Sequence, residues 1–193
     1  MPQHHALPVR PALDAPLTLA QSEAHVELDD PASAVFTDLR IASSVVVPID
    51  EALEDARRLM QHAGVRMAFV LDGGGVTGLV TAADLQGERA LQASTRRGMP
   101  HGELGVADVM TPVAHWAAIA ASHLARARVG DIVATFRATV QRYLIVVEGG
   151  GAGPAVIRGV FSANRVERAL GRTIEEELRS NSFSALAAAL AGT

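Results

Sequence analysis

Cysteine and lysine are absent from this chain of 193 residues, and aromatic residues make up only 4% of it. Without cysteine there is no disulfide, iron–sulfur cluster, thiolate zinc site or cysteine nucleophile. No run of about 18 uncharged apolar residues occurs, so we expect no membrane-spanning helix. The N-terminus also lacks the apolar core of a signal peptide. We therefore expect a cytoplasmic protein.

A strongly basic surface is missing too. The 21 acidic residues outnumber the 17 arginines, which gives a formal net charge of −4. Nucleic-acid binders need clustered positive charge for the phosphates, and single-strand binders need aromatic residues on which bases stack. We expect neither nucleic acid nor a membrane as a partner. The apolar fraction of 49% instead indicates a folded chain with a hydrophobic core.

A repeated segment organises the chain. Residues 53–72 and 129–148 align at an offset of 76, and their apolar positions coincide, as with Met60 and Phe136. In each copy, apolar residues at helical spacing precede a continuous apolar run, which is typical of an amphipathic helix followed by a buried strand. A glycine-rich turn and another short strand follow, and a small hydroxyl residue then begins a second helix.

The repeat therefore predicts an α/β fold with two β-α-β-β-α units. The opening strands are expected at 44–47 and 119–123, and the first helix from about 51 to 63, capped by Asp50 and ended by Gly64. A unit of about 60 residues is marginally stable alone, so the two copies are expected to bury each other's sheets. We expect an extended arm at 1–30, units at 31–98 and 99–171, and a helical tail at 172–193.

The first copy resembles the cystathionine β-synthase (CBS) domain. The resemblance lies in Val65-Arg-Met-Ala-Phe-Val-Leu-Asp72, the hairpin, and Gly78-Leu-Val-Thr-Ala-Ala-Asp-Leu85. Val106-Ala-Asp-Val-Met-Thr-Pro112 is typical of the segment that precedes such a domain. The tandem arrangement is similar to a stand-alone bacterial-type Bateman module over roughly residues 31–171. This resemblance implies two units packed sheet to sheet about a pseudo-twofold axis, in a homodimer.

The resemblance also implies clefts that bind AMP, ADP, ATP, S-adenosylmethionine or NAD. A Ser/Thr-x-x-Asp element marks the site in the family, which gives Asp84 the ribose hydroxyls and Thr81 a place near the phosphate. A carboxylate offers acceptors to both hydroxyls of a ribose, and a helix N-terminus suits a phosphate. The resemblance also implies contacts between the base and two strand segments. These are Val45, Val46 and Val47 in the first, and Met67 and Ala68 in the second. Many members of the family have proline where Ala68 stands.

A structural interpretation of the same residues stays open beside the functional one. Thr81-x-x-Asp84 is also the pattern of a capping box, in which the hydroxyl residue and the acid satisfy each other's backbone amides. An acid in the first turn favours the helix dipole as well. The two interpretations are compatible, and the spacing does not choose between them.

The second copy departs from the pattern at one position. Ser162 is present, but Arg165 stands where the acid is expected, and a guanidinium has no hydrogen-bond acceptor. Arg165 could contact a phosphate from the first site, pair with an acid across a dimer, or lie solvated at the edge of an inactive cleft. We expect this second cleft, formed by Ser162, Arg165 and Leu144, to be degenerate. At most one ribose-anchoring site per chain is then left, at Asp84.

The sequence contains no catalytic or metal-binding constellation that we can identify. The seven histidines are scattered, no serine stands in a nucleophile elbow, and the glycine runs lie between strands rather than before a helix. We expect a non-catalytic regulatory module that requires no cofactor, senses an adenosyl ligand and signals to an effector protein. The alternative is a ligand-free structural dimerisation module.

Phe183, Leu186 and Leu190 indicate a terminal helix that packs on this chain or on a partner.

Overall fold

A computed structural model describes residues 25–150 and 155–174 of the chain. Most of the expected N-terminal arm, at 1–24, and the tail beyond 174 with Phe183, Leu186 and Leu190 lie outside the described residues. Among the described helices, none combines the length and the apolar character that crossing a membrane requires.

The chain alternates short strands and helices, with 3-10 turns between several of them. The elements of the first half are β1 (Thr37–Asp38), β2 (Val46–Pro48), α1 (Leu53–His62), β3 (Met67–Asp72), β4 (Gly75–Thr81), α2 (Ala82–Gln86) and α3 (Glu88–Arg97). Those of the second half are α4 (Val106–Val109), β5 (Thr111–Pro112), β6 (Ala118–Ala120), α5 (Val129–Thr139), β7 (Tyr143–Gly149), β8 (Ala155–Ser162) and α6 (Ala163–Leu170).

The predicted pair of β-α-β-β-α units is confirmed. In the first unit β2 lies parallel to β3, which pairs with β4 in an antiparallel hairpin. In the second unit β6, β7 and β8 are arranged in the same way. Both hairpins even shift register at the same point of the repeat, between Val70 and Leu71 and between Val146 and Val147. The two copies therefore share local backbone geometry as well as topology.

Helix α1 has the buried face and the C-terminal glycine that the sequence predicts, but not the predicted N-cap. Leu53, Ala56 and Met60 are buried on one face at the spacing that the sequence predicts. Gly64 follows the helix with a φ of +67°, a left-handed conformation that glycine adopts without strain. The expected cap at Asp50 is wrong, because the N-cap is Ala52 and no side chain of the described residues caps this helix.

The leading strand of each unit pairs with the opposite unit. The sheets have the orders β2-β3-β4-β5 and β1-β8-β7-β6, so β1 joins the second unit and β5 joins the first. Thr37 lies opposite Val160, and Thr111 lies opposite Leu79, which is the equivalent pair of the repeat. The two repeats thus follow one another along the chain, but in space each gives its first strand to the sheet of the other.

Three apolar clusters of described residues stabilise this arrangement. The first half has its own core around α1, and the second half has another around α5. The leading segment, residues 25–36 before β1, contributes Val26, Ala32 and Val35 to this second core. A third cluster joins the facing sheets. Its fully or nearly buried members are two equivalent pairs of the repeat, Phe69 with Ile145 and Leu79 with Val160. This symmetry is the predicted sheet-to-sheet packing about a pseudo-twofold axis.

Candidate ligand-binding cleft

A cleft of about 1000 Å³ opens where the two halves meet. Drug-sized ligands occupy cavities of roughly 300–1,000 Å³, so the space suits a nucleotide. Several stretches of the described chain form its walls. They are the end of β4 with α2 and α3 (including Thr81, Asp84, Arg89, Gln92 and Arg96), the linker 107–115, and the second-half residues Val140, Gln141, Arg142, Tyr143 and Asn164, with Arg66 before β3.

Thr81 and Asp84 form the capping box at the start of α2. The Thr81 hydroxyl accepts from the Asp84 backbone N–H at 3.2 Å, and Asp84 Oδ2 accepts from the Thr81 backbone N–H at 2.9 Å. The Thr81 hydroxyl also donates to Asp84 Oδ2 at 2.7 Å. The capping interpretation is therefore confirmed. Asp84 still lines the cleft, and its side chain is 15% exposed.

Arg89 fixes the other carboxylate oxygen of Asp84. Its Nε lies 3.3 Å from Asp84 Oδ1, while its Nη1 donates to the Val109 carbonyl at 3.1 Å and to the Thr111 hydroxyl at 2.7 Å. A single guanidinium thus connects the candidate carboxylate to β5, the strand that the second repeat gives to the first sheet. Sequence reasoning missed Arg89, because Gly87 separates α2 from α3 and breaks the helical register between positions 84 and 89.

Positive charge dominates the cleft. Among the described residues, four arginines and two aspartates line it, which gives them a formal charge of +2 before His115 is considered. Arg142 is held by Glu167, with Nη2 2.8 Å from Oε2, and Asp108 Oδ1 lies 2.6 Å from Arg97 Nη2. The Arg66 side chain has no hydrogen-bond or ion-pair partner among the described residues. A cleft of this charge attracts anions.

Tyr143 lies among these charges at the start of β7. Burial raises the pKa of its phenol, Arg66 and Arg142 act in the opposite direction, and Asp84 raises it further. A phenol with an ordinary or a raised pKa is protonated at neutral pH, so this hydroxyl is a hydrogen-bond donor. Charges from Arg66 and Asp84 in the first half and from Arg142 in the second therefore act on the same hydroxyl group.

The remaining residues expected in the first site lie away from the cleft lining. Val47 and Ala68 are fully buried in the core of the first half, and Val45 packs against that core. Met67 packs on the cluster between the sheets, and Val46 is exposed on the edge strand β2. The structure brings together Thr81 and Asp84 of the expected set, and the opposite wall comes from the second half.

The internal repeat of the sequence contains a signal for the cleft wall that the second half forms. Arg142 and Tyr143 occupy the same positions in the second copy as Arg66 and Met67 in the first, at the offset of 76. A pseudo-twofold axis that brings two equivalent sheets face to face also places equivalent strand ends near each other. The repeat therefore contained the information, but only after the packing of the two copies was known.

The equivalent site of the second half is built differently. Ser162 is the N-cap of α6, and within the described part of the chain no side-chain hydrogen bond caps this helix. Arg165 is exposed, and its side chain makes no hydrogen bond or ion pair within the described residues. Leu144, expected beside this second cleft, is fully buried in the core of the second half.

Comparisons with known proteins concern the family of one segment and the fold of about three quarters of the chain. Residues 37–90 match the family model of the CBS domain. None of the curated proteins compared with this sequence matches it.

Three similar solved structures cover most of the chain. An uncharacterized conserved protein from Pyrococcus horikoshii is 18% identical over 74% of this chain and 93% of its own, with a TM-score of 0.52. The CBS domain of a bacterial CNNM/CorC family Mg²⁺ transporter, in complex with ATP, is 16% identical over 75% and 90%, with a TM-score of 0.50. A GMP reductase from Trypanosoma brucei is 14% identical over 72% and 27%, with a TM-score of 0.51.

The matched segment holds the first strand-helix-hairpin unit and the Thr81–Asp84 cap. The second half repeats that unit strand for strand and faces it across equivalent residues. Residues 37–90 are therefore a CBS domain, and the chain has the fold of a tandem CBS pair, the arrangement that defines a Bateman module.

Proposed function

We propose that this chain is a regulatory module that binds an adenine nucleotide or related adenosyl ligand in the cleft at Asp84. The observation that carries the proposal is the meeting of Thr81, Asp84 and four arginines in one cleft of about 1000 Å³. A CBS domain of similar fold, that of the Mg²⁺ transporter, is in complex with ATP. The module performs no chemistry itself and needs no cofactor.

Asp84 retains capacity for a ribose although it caps α2. A carboxylate offers about four lone-pair sites, and here the Thr81 amide, the Thr81 hydroxyl and Arg89 use three of them. The Thr81 hydroxyl is the partner that exchanges, because it rotates freely whereas the backbone amide is fixed. On binding, this hydroxyl turns to the ligand and leaves two acceptor sites for the ribose diol.

The arginines, rather than the helix, bind the phosphate. Helix α2 has five residues and so contributes little dipole. The Arg66 side chain lies at the cleft without a competing partner in the described part of the chain, and Arg96 lies on the same wall as Arg89. The net positive charge favours the anionic members of the expected ligands, AMP, ADP, ATP and NAD, over cationic S-adenosylmethionine.

The signal follows from the position of the cleft. Because both halves line it, a ligand that contacts both stabilises one arrangement of the two halves and shifts the population toward it. We propose that a homodimer passes this shift to a separate effector protein. Light scattering with and without ligand measures whether the assembly changes.

Calorimetric titration and thermal shift with AMP, ADP, ATP, NAD and S-adenosylmethionine test the proposal. A ligand at 100 times its dissociation constant is expected to stabilise the protein by about 2.7 kcal/mol. Asp84→Asn keeps one capping oxygen but loses the charge, so it should abolish most of the response.

Asp131→Asn is the matched control, since Asp131 caps α5 through the Arg128 amide at 2.8 Å and does not line the cleft. This variant should respond to ligand like the unaltered protein. Binding that survives Asp84→Asn would place the site elsewhere. No response to any of the five compounds would support the ligand-free dimerisation module instead.

A further inference from the structure

Val140 has an unusual backbone conformation at the edge of the cleft. Its φ of 54° and ψ of 23° are left-handed, and it is the one non-glycine residue with positive φ in the described part of the chain. A β-branched side chain in this region is strained. The residue ends α5, lines the cleft and is 89% exposed. Val140 therefore has a strained backbone and an apolar side chain that is exposed to water.

The repeat shows that the fold does not require a valine here. Gly64 occupies the same position after α1, with a φ of 67° and no strain. A Cβ built on Gly64 would meet nothing within 4 Å, and Gly64 does not line the cleft. In the first half, Gly64 thus makes this turn without strain. In the second half, which lines the cleft, Val140 makes the same turn with a strained backbone and an exposed apolar side chain.

We infer that Val140 contacts the bound ligand and packs its side chain against the nucleobase. This inference rests on the proposed function. The charged groups of the cleft suit phosphate and ribose, whereas the faces of a base need an apolar surface. Val140 offers one next to Tyr143, on the wall that the first half does not supply. A β-branched side chain has few rotamers, so little entropy is lost when the ligand covers it.

The variant Val140→Asn distinguishes the effect of backbone strain on stability from the effect of the side-chain contact on ligand affinity. Asparagine adopts the left-handed conformation more readily than valine and replaces the apolar surface with an amide. We expect the ligand-free variant to melt about 2–4 °C higher. We expect its dissociation constant for ATP or AMP, whichever binds the unaltered protein, to rise about tenfold through the lost apolar contact. Val140→Gly is expected to weaken binding in the same way.

The matched control places the valine on the other copy. Gly64→Val should lower the melting temperature and leave nucleotide affinity unchanged, because Gly64 lies outside the cleft lining. Unchanged affinity in Val140→Asn, or no gain in its melting temperature, overturns the inference while the proposed function stands. If the unaltered protein binds neither ATP nor AMP, the proposed function itself fails.

Discussion

The two halves of the molecule agree in their sheets and disagree at the first turn of the helix that follows each hairpin. Pairing, register shifts and interface residues repeat at fixed offsets. At the helix start, Thr81 and Asp84 form a reciprocal cap, whereas Ser162 has no such partner among the residues that the structure describes, and Arg165 is exposed. A fold held by buried apolar positions thus accommodates different polar residues at this turn of the two copies.

The largest expected effect concerns the two cores. Phe161 and Val80 occupy equivalent positions and are both fully buried, and the Phe161 ring lies 5.1 Å from that of Phe36 in the leading segment. Phe161→Ala should cost about 3–5 kcal/mol and Val80→Ala about 2 kcal/mol, because the larger side chain leaves the larger cavity. Urea unfolding measures both. Equal losses would contradict the expectation that the larger cavity in the second core costs more stability.

The next largest effects are expected at two glycines that β1 and β5 approach closely. We call β1 and β5 the exchanged strands, because each unit gives one of them to the sheet of the other. A Cβ at Gly159 would overlap the Phe36 ring and the Thr37 carbonyl, whereas a Cβ at Gly78 would lie 2.8 Å from the flexible Met110 Sδ and 2.9 Å from the Thr111 carbonyl. Gly159→Ala is therefore expected to cost about 3 kcal/mol and Gly78→Ala about 1 kcal/mol in unfolding free energy.

Gly102→Ala is the control for these two variants, because a Cβ there would meet nothing within 4 Å. It should change stability by less than about 0.5 kcal/mol. If Gly159→Ala is as mild as this control, the leading strand does not pair with the second sheet as described.

A smaller effect is expected at the cap of α2. Asp84→Ala removes the acceptor for the Thr81 amide and the partner of Arg89, and should cost about 1 kcal/mol. Chemical denaturation of the ligand-free protein measures it. A loss of several kcal/mol would show instead that the Asp84–Arg89–Thr111 contacts hold the exchanged strand in place.

The smallest expected effect is a gain in stability in the other half. Arg165→Asp places an acid three residues after Ser162, at the third position of α6, where a carboxylate caps the helix and favours its dipole. Since the Arg165 side chain has no partner within the described residues, little is lost, and the stability should rise by about 0.5–1 kcal/mol. Urea unfolding measures the change. A loss of stability would show that Arg165 makes a contact outside the described chain, such as one across a dimer.

The sequence predicts those parts of this structure that depend on local patterns. Apolar spacing in the repeat gave both units and their hairpins, and the four residues from Thr81 to Asp84 gave the cap. The start of α1 was missed for a tertiary reason. The backbone just before the helix is engaged by a distant segment, since Val106 N–H donates to the Glu51 carbonyl at 2.9 Å and Leu53 N–H to the Leu104 carbonyl at 3.3 Å.

The exchanged strands and the second wall of the cleft could not be predicted in the same way. Strands β1 and β5 are two residues long, too short to show any alternation, and they pair with strands far along the chain. Val140, Arg142 and Tyr143 reach the cleft only because the halves face each other. Sequence spacing within one copy carries no information about which residues of the other copy lie opposite.

The central claim is that one of two equivalent positions, Asp84, kept a working ligand site. Calorimetric titration of the full chain with ATP and with AMP tests it through the stoichiometry. The account predicts one bound nucleotide per chain, lost in Asp84→Asn and retained in Arg165→Ala. Two nucleotides per chain, or binding that depends on Arg165 and survives Asp84→Asn, would contradict it.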